Sequence, residues 1–256
     1  MPPARPNKSS PARPKAPPRS RAKSPAAAAP DVESVLAELK RLGTKKTLDG
    51  MARYAIPSDN ALGVPVGTLK TVAKPLARNH ELAAELWKTG WYEARMLASF
   101  IDDPAAVTAA QMDRWCRDFD NWAICDSVCF HLFDRTPHAW SKVKQWAPRP
   151  EEFIRRAAFA LLWGLTVHDK GAENSHYVEG LALIEQAAGD ERNFVKKAVN
   201  MALRATGKRN ATLHAAAVEV ARRLSGSEDP TARWVGKDAL RELTSPALVK
   251  RLGSRR

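Results

Sequence analysis

The chain has 256 residues, 44% of them hydrophobic, enough for one large domain or a repeat array with a sizeable core. Its longest apolar window, Ala157 to Val167, falls short of the ~18–20 residues that a bilayer span needs, so no membrane segment is expected. The net charge is +13, unevenly spread: residues 1–30 hold seven Lys or Arg and no acid, and the remainder carries +6. Such a balance points to a polyanionic partner, nucleic acid first, although Arg-rich composition alone produces it too.

Residues 1–30 contain nine prolines and almost nothing apolar beyond alanine. They cannot bury enough surface to offset chain entropy, and a disordered basic tail is expected, as a spacer or a non-specific phosphate contact. The tail lacks the apolar stretch of a secretory signal. Residues 31–256 form the second unit. Asp31 is a candidate N-cap, and Val32, Val35, Leu36, Leu39 and Leu42 recur at helical spacing behind it. Later segments repeat that pattern between breaks at Pro57, Pro65, Pro104, Pro137, Gly171, Gly189, Gly207 and Gly226. No alternating β-branched run is long enough for a sheet, so the expected fold class is all-α.

Three cysteines, Cys116, Cys125 and Cys129, make no disulfide framework. Cys125 and Cys129 share a helix face, but His131 is rotated away from it, and no metal site is expected. Buried thiols in a reducing, cytoplasmic compartment are the simplest reading.

The C-terminal half repeats itself. RRAAFALL (Arg155 to Leu162), KKAVNMAL (Lys196 to Leu203) and GKDALREL (Gly236 to Leu243) align without gaps, and Ala157, Ala198 and Ala239 are 41 residues apart in each interval. A period near 40–47 with two helices per unit marks HEAT or armadillo-type solenoids. Stacking would set Arg155/Arg156 beside Lys196/Lys197 as a basic strip, unless these are simply solvated helix ends.

The stretch DFDNWAICDSVCFHLF, Asp118 to Phe133, puts Trp122 and Asp126 one helical turn apart on one face. An aromatic beside a carboxylate can stack on a sugar or base and stabilise a developing cation. On spacing alone, a core tryptophan with a locally paired aspartate is the simpler reading.

Three segments together resemble the DNA alkylation repair family, the HEAT-like alkylpurine DNA glycosylases. They are MARYAIPSDNALGVPVGTLKTVAK with its Gly63-Val64-Pro65 turn and Leu69, DNWAICDSVC with its W-x-x-x-D pattern, and FIRRAAFAL. The resemblance runs from Met51 to Glu242, about three-quarters of the chain. It implies a right-handed α–α superhelix of HEAT-like repeats that binds double-stranded DNA containing alkylated bases, as a monomer and without a cofactor. By the same resemblance Trp122 is the site aromatic contacting the lesion's sugar. Asp126 is the site carboxylate stabilising the sugar cation and orienting water, and Arg156 is the site arginine clamping a phosphate.

The implied reaction is hydrolysis of the N-glycosidic bond of cationic N3- or N7-alkylated purines, without a tight base-flipping pocket. One position departs: a second site aromatic of the family falls on Met201, which offers no π-face. Trp163 and Trp234 are possible substitutes, with core packing the simpler expectation for both. Lys196, Lys197, Arg204, Lys208 and Arg209 are candidate phosphate contacts by charge and position, with Arg155 on the same strip. The alternatives are a catalytically silent DNA-binding protein of the same fold, which Met201 favours, and a protein-binding scaffold.

Overall fold

Asp31 opens the first helix with a reciprocal cap. Its carboxylate accepts from the Ser34 N–H at 2.9 Å, and its own N–H donates to Ser34 Oγ at 3.1 Å. From there the computed structural model, which describes residues 30–253, is helical, with no strand among those residues. The expected disordered tail, residues 1–30, lies outside the described residues apart from Pro30.

The N-terminal helices are α1 (Val32–Leu42), α2 (Lys45–Met51), α3 (Val66–Ala73), α4 (His80–Lys88) and α5 (Tyr92–Ile101). The middle of the chain supplies α6 (Ala109–Arg117), α7 (Trp122–His131), α8 (Ala139–Trp146) and α9 (Glu152–His168). It ends with α10 (Asn174–Ala187), α11 (Asn193–Gly207), α12 (Ala211–Ser225), α13 (Pro230–Leu243) and α14 (Pro246–Gly253). Short 3-10 turns follow α2 at Ala52–Tyr54 and α7 at Phe133–Arg135. No helix among the described residues is long and apolar enough to cross a membrane.

The helices form two layers. In the first, α3, α5, α7, α9, α11 and α13 each pack on the next. Behind them α8 backs α9, α10 backs α11 and α12 backs α13. This is the expected HEAT-like solenoid, and the 41-residue repeat explains its regularity. Ala157, Ala198 and Ala239 occupy equivalent places in α9, α11 and α13 and are all buried to 1% or less. A methyl side chain at each lets neighbouring helices approach closely. Gly236 takes this further: a Cβ there would lie 2.3 Å from the Ser225 nitrogen, so α13 lies directly on the backbone of α12.

The cysteines are buried free thiols, as their spacing suggests. Cys129 donates to the Ala157 carbonyl at 3.5 Å, tying α7 to α9.

The Gly63-Val64-Pro65 turn leads into α3 and is held by a buried carboxylate. Glu93 accepts from the N–H groups of Leu62 and Gly63 at 2.7 Å and of Val64 at 3.1 Å. Gly63 has φ +80°, and a Cβ there would sit 2.4 Å from the Thr44 carbonyl oxygen. Left-handed backbone alone costs a non-glycine residue about 1–2 kcal/mol. Gly63→Ala is therefore expected to lower stability by at least ~2 kcal/mol once the clash is included. Urea titration checks this, and an unchanged midpoint would refute the account of the turn.

Candidate functional site

Helix α7 starts where it does because Asn121 caps it. The buried Asn121 carboxamide oxygen accepts from the N–H groups of Ala123 at 3.1 Å and Ile124 at 3.0 Å. The cap puts Trp122 at the first helical position and Asp126 one turn on. The buried side of α7 is formed by Ala123, Ile124, Cys125, Val128 and Cys129. Trp122, Asp126 and Phe130 therefore share the opposite face, which looks out from the first layer.

On the next helix of that layer, Arg156 meets Asp126 side-on. Its Nε donates to Oδ1 at 2.9 Å and its Nη2 to Oδ2 at 2.7 Å, a two-point ion pair. Its Nη1 donates to the Phe194 carbonyl at 2.6 Å, which reaches across to α11. The guanidinium also lies 5.9 Å from the Trp122 ring centre. Trp122 is fixed in turn by its indole N–H, which donates to the Tyr54 carbonyl at 2.7 Å. Three first-layer helices and the 3-10 turn at Ala52–Tyr54 thus converge on one carboxylate.

Only 15% of the Asp126 side chain and 6% of the Arg156 side chain is exposed. Burial pushes the Asp126 carboxyl above its ordinary value, opposed by the Arg156 charge and hydrogen bonds. Both oxygens accept from guanidinium N–H groups, which is the bonding pattern of an ionised carboxylate. Each oxygen keeps a second lone pair for a water or a substrate.

The pair lies in an open cleft of about 610 Å³ with Trp122, Lys197, Met201 and Arg204 in its walls. Arg53, Tyr54 and Trp234 form part of its rim. Arg156, Lys197 and Asp238 are equivalent positions, 41 residues apart, and all three line this cleft. The expected basic strip is therefore half wrong. Adjacent helical residues point about 100° apart, so only one of each pair can face the cleft. Arg155 turns away and pairs with Asp190 at 2.9 Å, and Lys196 lies over the Trp234 ring at 5.2 Å. The third repeat puts an acid, Asp238, where the first two put bases.

The other basic candidates are engaged within the protein. Arg204 lies 3.4 Å from Asp238 and 3.1 Å from Glu242, and Lys208 pairs with Glu242. Arg209 donates to the carbonyls of Thr166, Lys170 and Ala172 and lies over the Tyr177 ring at 4.4 Å, which fits a structural clamp. Lys208, Arg209 and Lys170 line an adjoining cleft of about 730 Å³, which shares Met201 and Arg204 with the first. Among the described residues no group of three His, Cys, Asp or Glu side chains converges as a metal site would require.

Comparison with known proteins identifies the family and the fold. The family described as DNA alkylation repair enzyme matches residues 35–243, most of the chain. The chain belongs to that family. Its architecture is shared with a solved structure described as from "a new family of proteins related to the HEAT-like repeat DNA glycosylases with affinity for branched DNA structures". The two are 24% identical with a TM-score of 0.70, over 83% of this chain and 95% of the other. At that identity the likeness establishes the fold alone. No curated protein matches the sequence.

Family membership makes the exposed aromatics of the cleft informative, and two were undervalued in the sequence. Trp234 is 43% exposed on the cleft rim rather than packed in the core. Its period gave the signal: Ala232, Val235, Gly236, Ala239 and Leu243 form the buried side of α13, and Trp234 lies opposite them. Tyr54 is 64% exposed beside Trp122, held by a turn that no local motif announces. Trp163 is only half-buried and stacks on Phe130 at 4.4 Å, in the adjoining cleft.

Proposed function

We propose that this protein is a DNA glycosylase that hydrolyses the N-glycosidic bond of cationic N3- and N7-alkylated purines in duplex DNA. The observation that carries the reading is the Asp126 carboxylate, open to a cleft between aromatic rings and held at both oxygens by Arg156. An alkylated purine already carries positive charge, so its bond to C1′ breaks without a general acid. The electron pair leaves with the purine nitrogen, and the sugar becomes oxocarbenium-like. Asp126 stabilises that cation, and a free lone pair orients the water that adds to C1′, whose proton passes to solvent. Trp122 lies against the sugar. Arg156 acts mainly as a positioning residue: its donors hold Asp126 and the Phe194 carbonyl rather than waiting for a phosphate. The openness of the cleft suits an adduct read without deep base flipping.

In this reading the enzyme works as a monomer on nucleoid DNA in the cytosol. Arg53, Lys170 and Lys197 border the two adjoining clefts and supply phosphate contacts, and the part-exposed Arg204 and Lys208 join them by exchanging Asp238 and Glu242 for phosphate. Five such contacts give a slope of log affinity against log salt of about −4.5 for duplex DNA. Anisotropy titrations across salt concentrations measure it. A slope near zero would favour the protein-binding scaffold instead.

A catalytically silent DNA binder is the second reading, and one observation favours it: the Arg156 charge partly cancels that of Asp126. The affinity for branched DNA ascribed to the structural relative fits DNA binding under either reading. Release of free alkylpurine from methylated duplex separates the two, because binding alone releases none.

A further inference from the structure

Beyond the lesion cleft, the face that carries Asp126 continues as a row of rings that the proposed reaction does not use. Phe130 lies one turn past Asp126 on α7, and Trp163 lies two turns past Arg156 on α9. Phe130 stacks on Trp163 at 4.4 Å and meets His131 edge-on at 5.3 Å, and His131 meets Phe100 of α5 at 4.9 Å. All four rings are half-buried, so part of each remains accessible to solvent. Trp163 adjoins Met201, which lines the lesion cleft, so the row is continuous with the site.

The row's far end is basic. Lys70, Lys74 and Arg135 border a groove of about 360 Å³ together with Phe100 and His131, and no carboxylate lines it. Lys70 lies over the Phe100 ring at 5.7 Å, and none of the three cations has an acidic partner among the described residues. The carboxylate behind this region, Asp134, is fully buried against His168. Burial and the nearby Lys70 and Arg135 charges push His131 down to about 4, so at neutral pH it is an uncharged ring.

A duplex backbone calls for cations but not for rings, and an apolar peptide calls for a groove without three unopposed charges. Unpaired nucleotides call for both: base faces stack on rings, and phosphates follow the cations. We propose that the groove along Trp163, Phe130, His131 and Phe100 binds an unpaired DNA strand continuous with the duplex in the lesion cleft. Lys70, Lys74 and Arg135 hold its phosphates. The inference rests on the DNA-binding part of the proposed function and is independent of excision.

The test compares full-length protein on a blunt duplex and on the same duplex bearing a single-stranded arm of ~6 nucleotides with 2-aminopurine in it. The arm is expected to tighten binding about tenfold, the equivalent of one stacked base, and bound 2-aminopurine emission is expected to fall. Lys70→Ala with Lys74→Ala, both at exposed positions, removes most of that gain and leaves blunt-duplex affinity unchanged. Phe130→Leu keeps an apolar side chain of most of the volume but removes a ring, and should restore the emission. Three results would overturn the inference alone, with excision from blunt duplex intact. They are no gain from the arm, equal loss on both DNAs in the lysine variant, and quenching that survives Phe130→Leu. Failure to bind either DNA would overturn both the inference and the proposed function.

Discussion

Asp126→Asn is expected to slow excision about a thousandfold while leaving affinity for duplex DNA equal or higher. At an effective dielectric near 20, a carboxylate ~4 Å from the sugar cation contributes about 4 kcal/mol. Arg156, bound to its far side and roughly 7 Å from the cation, takes back about 2 kcal/mol. The intact pair thus favours the transition state by about 2 kcal/mol. Asparagine removes the attraction but leaves the guanidinium, so the swing is about 4 kcal/mol. It also keeps an acceptor for Arg156, and the fold should persist. Adding Arg156→Gln to Asp126→Asn should recover part of the lost rate, because it removes the remaining repulsion. The net penalty then falls to about 2 kcal/mol, close to thirtyfold. Single-turnover excision by the three proteins measures both effects, and a double variant slower than the single would refute the charge-pair account.

Arg156→Ala is expected to destabilise the fold by about 3–5 kcal/mol, because it strands a buried carboxylate and the Phe194 carbonyl. The loss should depend on pH. Burial already holds the Asp126 carboxyl above its ordinary value, and removing the opposing charge moves it further up. A carboxyl whose value is higher folded than unfolded binds its proton more tightly in the folded chain. Its effect on stability is therefore most favourable at low pH and worsens as pH rises through the folded value. Denaturant titrations near pH ~5 and pH ~8 should show the larger deficit at the higher pH. A deficit under ~1 kcal/mol at both would mean that the pair contributes little to the fold.

Much of this was legible in the sequence where periodicity carries the information. The 41-residue spacing of Ala157, Ala198 and Ala239 located three first-layer helices, α9, α11 and α13, because the same buried position recurs in each repeat. Trp122 and Asp126 were legible as a pair, since a helical turn fixes their common face. The partner of Asp126 was not: which charge answers it depends on how α9 lies against α7, a tertiary fact. Reading Arg155/Arg156 and Lys196/Lys197 as undivided pairs overlooked the rotation between adjacent helical residues. Trp234 was recoverable from the buried face of its own helix, whereas Tyr54 was not. It owes its place to a turn ending at Ala55, which has φ 52°, and to a carbonyl 68 residues from the tryptophan that it meets.

Release of 7-methylguanine and 3-methyladenine from methylated duplex DNA, by wild type beside Asp126→Asn, separates an enzyme working through this carboxylate from a protein that only binds. Release well above the spontaneous rate by wild type, lost in the variant, is the result expected of a glycosylase working through this carboxylate. Equal release by both proteins would contradict the site assignment. No release by wild type, with salt-sensitive DNA binding intact, would contradict the enzymatic reading and leave a DNA-binding member of the family.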